Sequence, residues 1–74
     1  MTFGEKLRKA RKARKLSQQD LARRIGVKSN SISNWETGLH IPKNAMIMAI
    51  ARNLGVTTEY LAGFSVAEGV PGML

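Results

Sequence analysis

The sequence predicts an all-α domain of five short helices, and three observations carry that expectation. Apolar residues recur three and four apart in successive segments, and nowhere do apolar and polar residues alternate over the length of a strand. Helix starts and stops punctuate the chain: Ser17 and Thr57 stand before two of the segments, and Gly26, Gly38 and Gly55 stand behind three. Residues 17–38, SQQDLARRIGVKSNSISNWETG, read as two short helices joined by a tight turn. A chain of 74 residues makes one small domain. Its core must be thin, since such a chain buries only roughly 60 % of its unfolded surface.

Each element follows from its residues. Helix one spans roughly Thr2 to Lys15, with Thr2 as cap and Glu5 at the third helical position. Phe3, Leu7 and Ala10 give it a narrow apolar stripe, and Lys and Arg cover the rest. Helix two runs from Gln18 to Ile25: Ser17 caps it, Asp20 completes a capping-box-like pair, and Leu21, Ala22 and Ile25 form its stripe. Gly26 ends it by accepting a left-handed backbone. Helix three covers Ser29 to Glu36 and is ended by Gly38. Ile32 and Trp35 point inward, Trp35 as a core anchor. Ser29, Asn30, Ser33 and Asn34 make a short, polar, uncharged outer face, of the kind that can hydrogen-bond base edges in a DNA major groove. Residues 39–41 are a loop, and Pro42 suits the first turn of helix four. That helix, with Ala45, Met46, Ile47, Met48, Ala49, Ile50, Ala51 and Leu54, is apolar almost all round and should be central; Gly55 ends it. Thr57 caps a short fifth helix through Ala62, with Tyr60 and Leu61 packing inward.

Composition narrows the function classes. The net charge is +7, and nine of the twelve basic residues fall between Lys6 and Arg24. A lysine-rich helix can be no more than a solvated surface. A bias confined to one third of the chain is the electrostatic footprint of nucleic-acid binding. An anionic membrane surface fits less well, because the apolar residues in that segment are few and small. No apolar run approaches the roughly 20 residues of a membrane span, and the basic start lacks the apolar stretch of a secretory signal. There are no cysteines, so neither disulfides nor thiolate ligands are available. His40 is the single histidine and has too few companions for a metal site or a catalytic group. No catalytic residue, metal or cofactor is expected, and the methionines read as flexible core filler.

The ordered set LSQQDLA, IGV, SISNWETG, then a proline, an apolar helix and LGVTTEYL resembles the lambda-repressor-like helix-turn-helix domain of phage repressors, Cro proteins and the XRE group of bacterial regulators. The resemblance runs from about Phe3 to Gly63. A helix-turn-helix pattern alone gives false matches, whereas this one has matching flanks on both sides. The resemblance implies a compact five-helix domain whose third helix enters the major groove. It implies base contacts from Ser29, Asn30 and Asn34 and a phosphate contact from Gln18; Lys28 is a further candidate for a base or a phosphate, and Thr37, Lys43 and Arg11 are further phosphate candidates, with the Gly38 amide facing the same strand. It also implies a structural pair between Arg11 and Glu36 that fixes the angle between helices one and three. Gln18 should brace a side chain of the recognition helix, although an ordinary first-turn glutamine is an equal reading. Lys28 departs from the pattern, which usually has Ser or Thr there. Either Ser29 caps and the helix starts one residue late, or the first amides face solvent or phosphate.

The expected function is sequence-specific binding of double-stranded DNA by a transcriptional regulator, a repressor, acting in the cytoplasm of a bacterial cell or phage-infected host, at the nucleoid. A palindromic operator read by a homodimer is expected, because one small module offers little interface. The alternative is an antitoxin-type or partner-binding regulator on the same fold. Residues 1–63 form the DNA-binding domain and 64–74 a tail or linker. That tail is a frayed terminus, a link to a further domain or partner protein, or a segment whose Phe64, Val66, Val70 and Leu74 pack on the body or on a second copy.

Overall fold

The computed structural model describes residues 1–62. The readings made for Gly63 and for the tail 64–74 fall outside them. The described residues form five α-helices: α1 (Phe3–Ala13), α2 (Gln18–Ile25), α3 (Ser29–Thr37), α4 (Asn44–Leu54) and α5 (Thr58–Ala62). Helices α2 and α3 pack together as the helix-turn-helix. α1 lies against α3 and α5, and α4 against α2 and α5.

Every helix contributes one fully buried side chain to a single core: Leu7, Leu21, Ile32, Ile50 and Leu61. Ala10, Ala22, Trp35, Ile47, Ala51 and Leu54 close around them. The stripes on α1, α2 and α3 are those the 3.6-residue period predicts. Helix α4 differs. Its buried residues Ile47, Ile50, Ala51 and Leu54 lie on one side, while Ala45 and Met48 are exposed. Within residues 1–62, α4 packs chiefly on α2 and α5, so a helix apolar all round still buries just one face. Tyr60, expected inside, is 38% exposed; the Lys6 ammonium sits 5.3 Å from its ring centroid and bridges α1 to α5.

Helix boundaries follow the capping chemistry. Thr2 and Glu5 form a complete capping box on α1, and Ser17 and Asp20 form another on α2. Thr57 accepts the Tyr60 N–H at the start of α5. α1 ends at Ala13 and not at Lys15, because Lys15 adopts φ 58. α3 continues one residue farther, to Thr37. Pro42 is buried ahead of α4 and lies outside its first turn; Lys43 is the N-cap. Gly26 has φ 77, and behind it the Val27 N–H returns to the Ala22 carbonyl, which makes the α2–α3 turn tight.

Candidate nucleic-acid interface

Helix α3 is held to the body at its inner face and at its C-terminal end. Ile32 and Trp35 anchor the inner face in the core. At the end, the Arg11 guanidinium grips Glu36 in a bidentate pair: Nε to Oε2 at 2.6 Å and Nη2 to Oε1 at 3.1 Å. These side chains are only 8 % and 4 % exposed, so the pair is largely desolvated. Such a pair needs further hydrogen bonds to its remaining donors and acceptors, and each partner makes one. Arg11 Nη1 donates to the Leu16 carbonyl at 2.7 Å, and Gln18 Nε2 donates to Glu36 Oε1 at 3.1 Å. The ion pair therefore ties α1, the α1–α2 turn, α2 and α3 together.

A second point of contact comes from Gly4. It is buried, and a Cβ placed there would lie 2.6 Å from the Trp35 carbonyl oxygen and closer still to that of Glu36. The first turn of α1 thus rests directly on the backbone of the last turn of α3. A glycine inside a helical pattern hints at a close approach, but the sequence does not say what approaches.

The opposite face of α3 is open. Lys28, Ser29 and Asn30 are exposed, and Asn34 and Ser33 are half-buried. Asn30 and Asn34 lie one turn apart, directly away from Ile32 and Trp35. Helix α3 starts at Ser29, so Lys28 is its N-cap and supplies no side-chain hydrogen bond. Of the two arrangements open for this position, the one with unclosed first amides is found. Helix α4 has the same character, with Lys43 at an N-cap that makes no side-chain bond. Lysine has donors only. Each of these helix ends therefore combines a cation with amides that no side chain satisfies, an environment suited to an anion.

The phosphate candidates divide. Lys43 and Thr37 are exposed, Thr37 with its hydroxyl near the Asn34 carbonyl at 3.3 Å. Gln18 is half-buried, and its amide braces Glu36 as expected. Arg11 is different: its guanidinium is turned inward on Glu36 and Leu16, which fits the structural pair and leaves no exposed head for a phosphate. The Gly38 amide is likewise engaged, with the Asn34 and Trp35 carbonyls. At α2 the capping box occupies the amides of Ser17 and Asp20. Arg14, which looks like a solvent residue in sequence, donates from Nε to the Leu54 carbonyl at 3.1 Å and ties α1 to the end of α4.

Charge is arranged on the same principle. Three of the four described acids serve the structure: Glu5 and Asp20 sit in capping boxes and Glu36 in the buried pair, while Glu59 is exposed in the first turn of α5. Hydrogen bonds from the Thr2 and Ser17 backbone, then from their hydroxyls, hold the Glu5 and Asp20 carboxyls below the usual carboxylate range. The cations face outward. Among the described basic residues Arg11 alone is buried, and Lys6 is half-buried. No helix among these residues is long and apolar enough to cross a membrane.

A family model described as helix-turn-helix matches residues 7–61. The chain belongs to this family. Known proteins resemble it along most of its length. Multiprotein-bridging factor 1 of Debaryomyces hansenii is 38% identical over 68 residues, covering 92% of this chain and 43% of that protein. The 26 kDa repressor protein of Escherichia phage HK022 is 38% identical over 53 residues, covering 72% of this chain and 23% of that protein. The chain thus spans less than half the length of either relative. Among solved structures, the P22 c2 repressor in complex with synthetic operator 9T superposes with a TM-score of 0.79 at 31% identity, covering 82% of this chain and 92% of that one. The lambda-repressor-like all-α fold expected from the sequence is the fold found.

Proposed function

We propose that this chain is the sequence-specific, double-stranded-DNA-binding module of a transcriptional regulator that acts as a repressor in the cytoplasm, at the nucleoid. The carrying observation is the uncharged outer face of α3, with Asn30 and Asn34 one turn apart on a helix braced by a buried ion pair. Rigid placement matters because base readout depends on two hydrogen bonds being made together. In this reading Asn30 and Asn34 contact bases, with Lys28 and Ser29 at the entry to the groove. Gln18, Thr37 and Lys43 hold phosphates, which position the module without reading sequence. Arg11 acts through Glu36. Residues 1–63 form the module and 64–74 the link to a further domain, a partner protein or a second copy. Two copies read a palindromic operator.

The similarity to the operator-bound P22 c2 repressor and to the phage HK022 repressor supports this reading. Selection of bound duplexes from a random DNA pool tests it. A single motif with two-fold symmetry is the expected result, and recovery of no enriched sequence refutes it.

A partner-binding regulator is the second reading, favoured by Leu39 and Ile41. Both are large and apolar, and they stand 67% and 65% exposed in the loop after α3. A Leu39→Ser/Ile41→Ser variant separates the two. Unchanged DNA affinity for the selected sequence together with lost regulation of a reporter supports the partner reading; intact regulation removes it.

A further inference from the structure

Helices α2, α3 and α4 all end on a glycine in the left-handed region: Gly26, Gly38 and Gly55. Helix α1 ends in the same way but with a lysine. Lys15 has φ 58, the one positive φ at a non-glycine residue among those described. The closing hydrogen bonds are those of a glycine-type C-terminus: the Lys15 N–H returns to the Lys12 carbonyl at 2.9 Å and the Leu16 N–H to Arg11 at 3.2 Å. An L side chain there works against the backbone, which a glycine would not. Strain retained at one position is a reason to ask what the side chain does.

Nothing among the described residues neutralises it. Lys15 is exposed, and the ion pair found among those residues is Arg11–Glu36. Its position is specific. The next residue, Leu16, is pinned through its carbonyl to Arg11, and Gln18 bonds the same Glu36 that Arg11 holds. Lys15 therefore lies in the α1–α2 turn that this cluster fixes, three residues before Gln18 at the start of α2. We propose that Lys15 is a DNA-phosphate contact, added to those proposed for Lys43, Thr37 and Gln18, held in a strained conformation for that purpose. This inference rests on the DNA-binding reading above.

The test uses the full chain and a random-sequence 20-base-pair duplex, with anisotropy measured over a range of salt. Lys15→Gly should melt higher by about 3 °C as the strain is released. The magnitude of its log–log salt slope should fall by about 1, the loss of one phosphate contact. Lys15→Asn, which also tolerates the left-handed backbone, should lose the same slope, and Lys15→Arg should keep it. Arg52→Gln is the control for net charge alone, because Arg52 lies roughly 13 Å along α4 from Lys43 at 1.5 Å per residue. It should change the slope less.

A native slope in both Lys15→Gly and Lys15→Asn overturns the proposal, as does an equal loss in Arg52→Gln. A lower melting point for Lys15→Gly removes the strain argument and makes Lys15 a helix-end stabiliser. A native chain without salt-dependent binding would defeat the DNA reading itself, an outcome distinct from an unchanged slope in a chain that binds.

Discussion

Arg11 and Arg14 are three residues apart on one basic helix, and their surroundings separate them sharply. Arg11→Ala strands the Glu36 carboxylate inside the domain, and breaking a buried pair costs about 3–5 kcal/mol. Arg14→Ala removes a single hydrogen bond to the Leu54 carbonyl at the end of α4, worth about 1 kcal/mol. Paired thermal melts should show the larger drop for Arg11→Ala, and equal drops would remove the buried pair from its role. Asn30→Ala and Asn34→Ala should do the reverse, leaving the melting point alone. Each should weaken binding to the selected sequence by about 1–3 kcal/mol, with little change on random DNA. Equal losses on both would make these residues positioning contacts. The Arg11–Glu36 pair was legible only through the family resemblance, because periodicity says nothing about two residues 25 apart. The Arg14 contact had no signal at all, since its acceptor is a backbone carbonyl 40 residues away.

At the level of the helices, the N-terminal caps were legible because each is a local pattern of a few residues. Both capping boxes are where the sequence places them. Their acids make stability depend on pH in a definite direction. Glu5 and Asp20 have carboxyl groups held below the usual range in the folded chain, so the unfolded chain takes up their protons first as pH falls. The stabilisation is complete above the ordinary carboxylate pKa of about 4, and it is lost as pH drops through the lowered folded values. Melting points should therefore fall on the acid side of that value, and an Asp20→Asn/Glu5→Gln variant should show a shallower fall. An identical acid limb in the variant would assign the loss to other groups. The close approach of α1 to α3 is another matter, because it is set by two backbones. Gly4→Ala puts a methyl against the Trp35 and Glu36 carbonyls, with no flexible side chain to move aside. Overpacking of this kind costs about 1–3 kcal/mol, read as a lower denaturation midpoint; an unchanged midpoint would mean that α3 yields freely. The one-sided burial of α4 was hidden from the sequence because periodicity reports which faces are apolar and not which ones find a partner.

For the whole molecule, the distribution of charge and of apolar surface decides how it meets DNA. Outward cations, with Glu5, Asp20 and Glu36 spent on caps and the buried pair, make binding salt-dependent. If each copy neutralises about four phosphates, the log–log slope should be around −3 to −4 per monomer, and a slope near zero would defeat the electrostatic part of the proposed function. Assembly follows from the apolar side. Each of the five helices places its fully buried side chain in its own core, and no helix among the described residues carries a sustained heptad pattern for a zipper. The large apolar residues left exposed, among them Leu39, Ile41, Met48 and Tyr60, are distributed over a loop, α4 and α5. A surface of that kind offers weak self-association at most, so the 74-residue chain should be largely monomeric at low micromolar concentration. Two copies reading a palindrome must still place their α3 helices about 34 Å apart, one turn of DNA. A weak contact suffices for this, because the duplex holds the copies together and makes their second encounter intramolecular. Sedimentation without DNA, followed by titration of a symmetric duplex, should give a monomer and then a 2:1 complex. A tight dimer without DNA would show that α5 or the tail carries an interface beyond these residues. A 1:1 complex on a full palindrome would refute the paired-site arrangement.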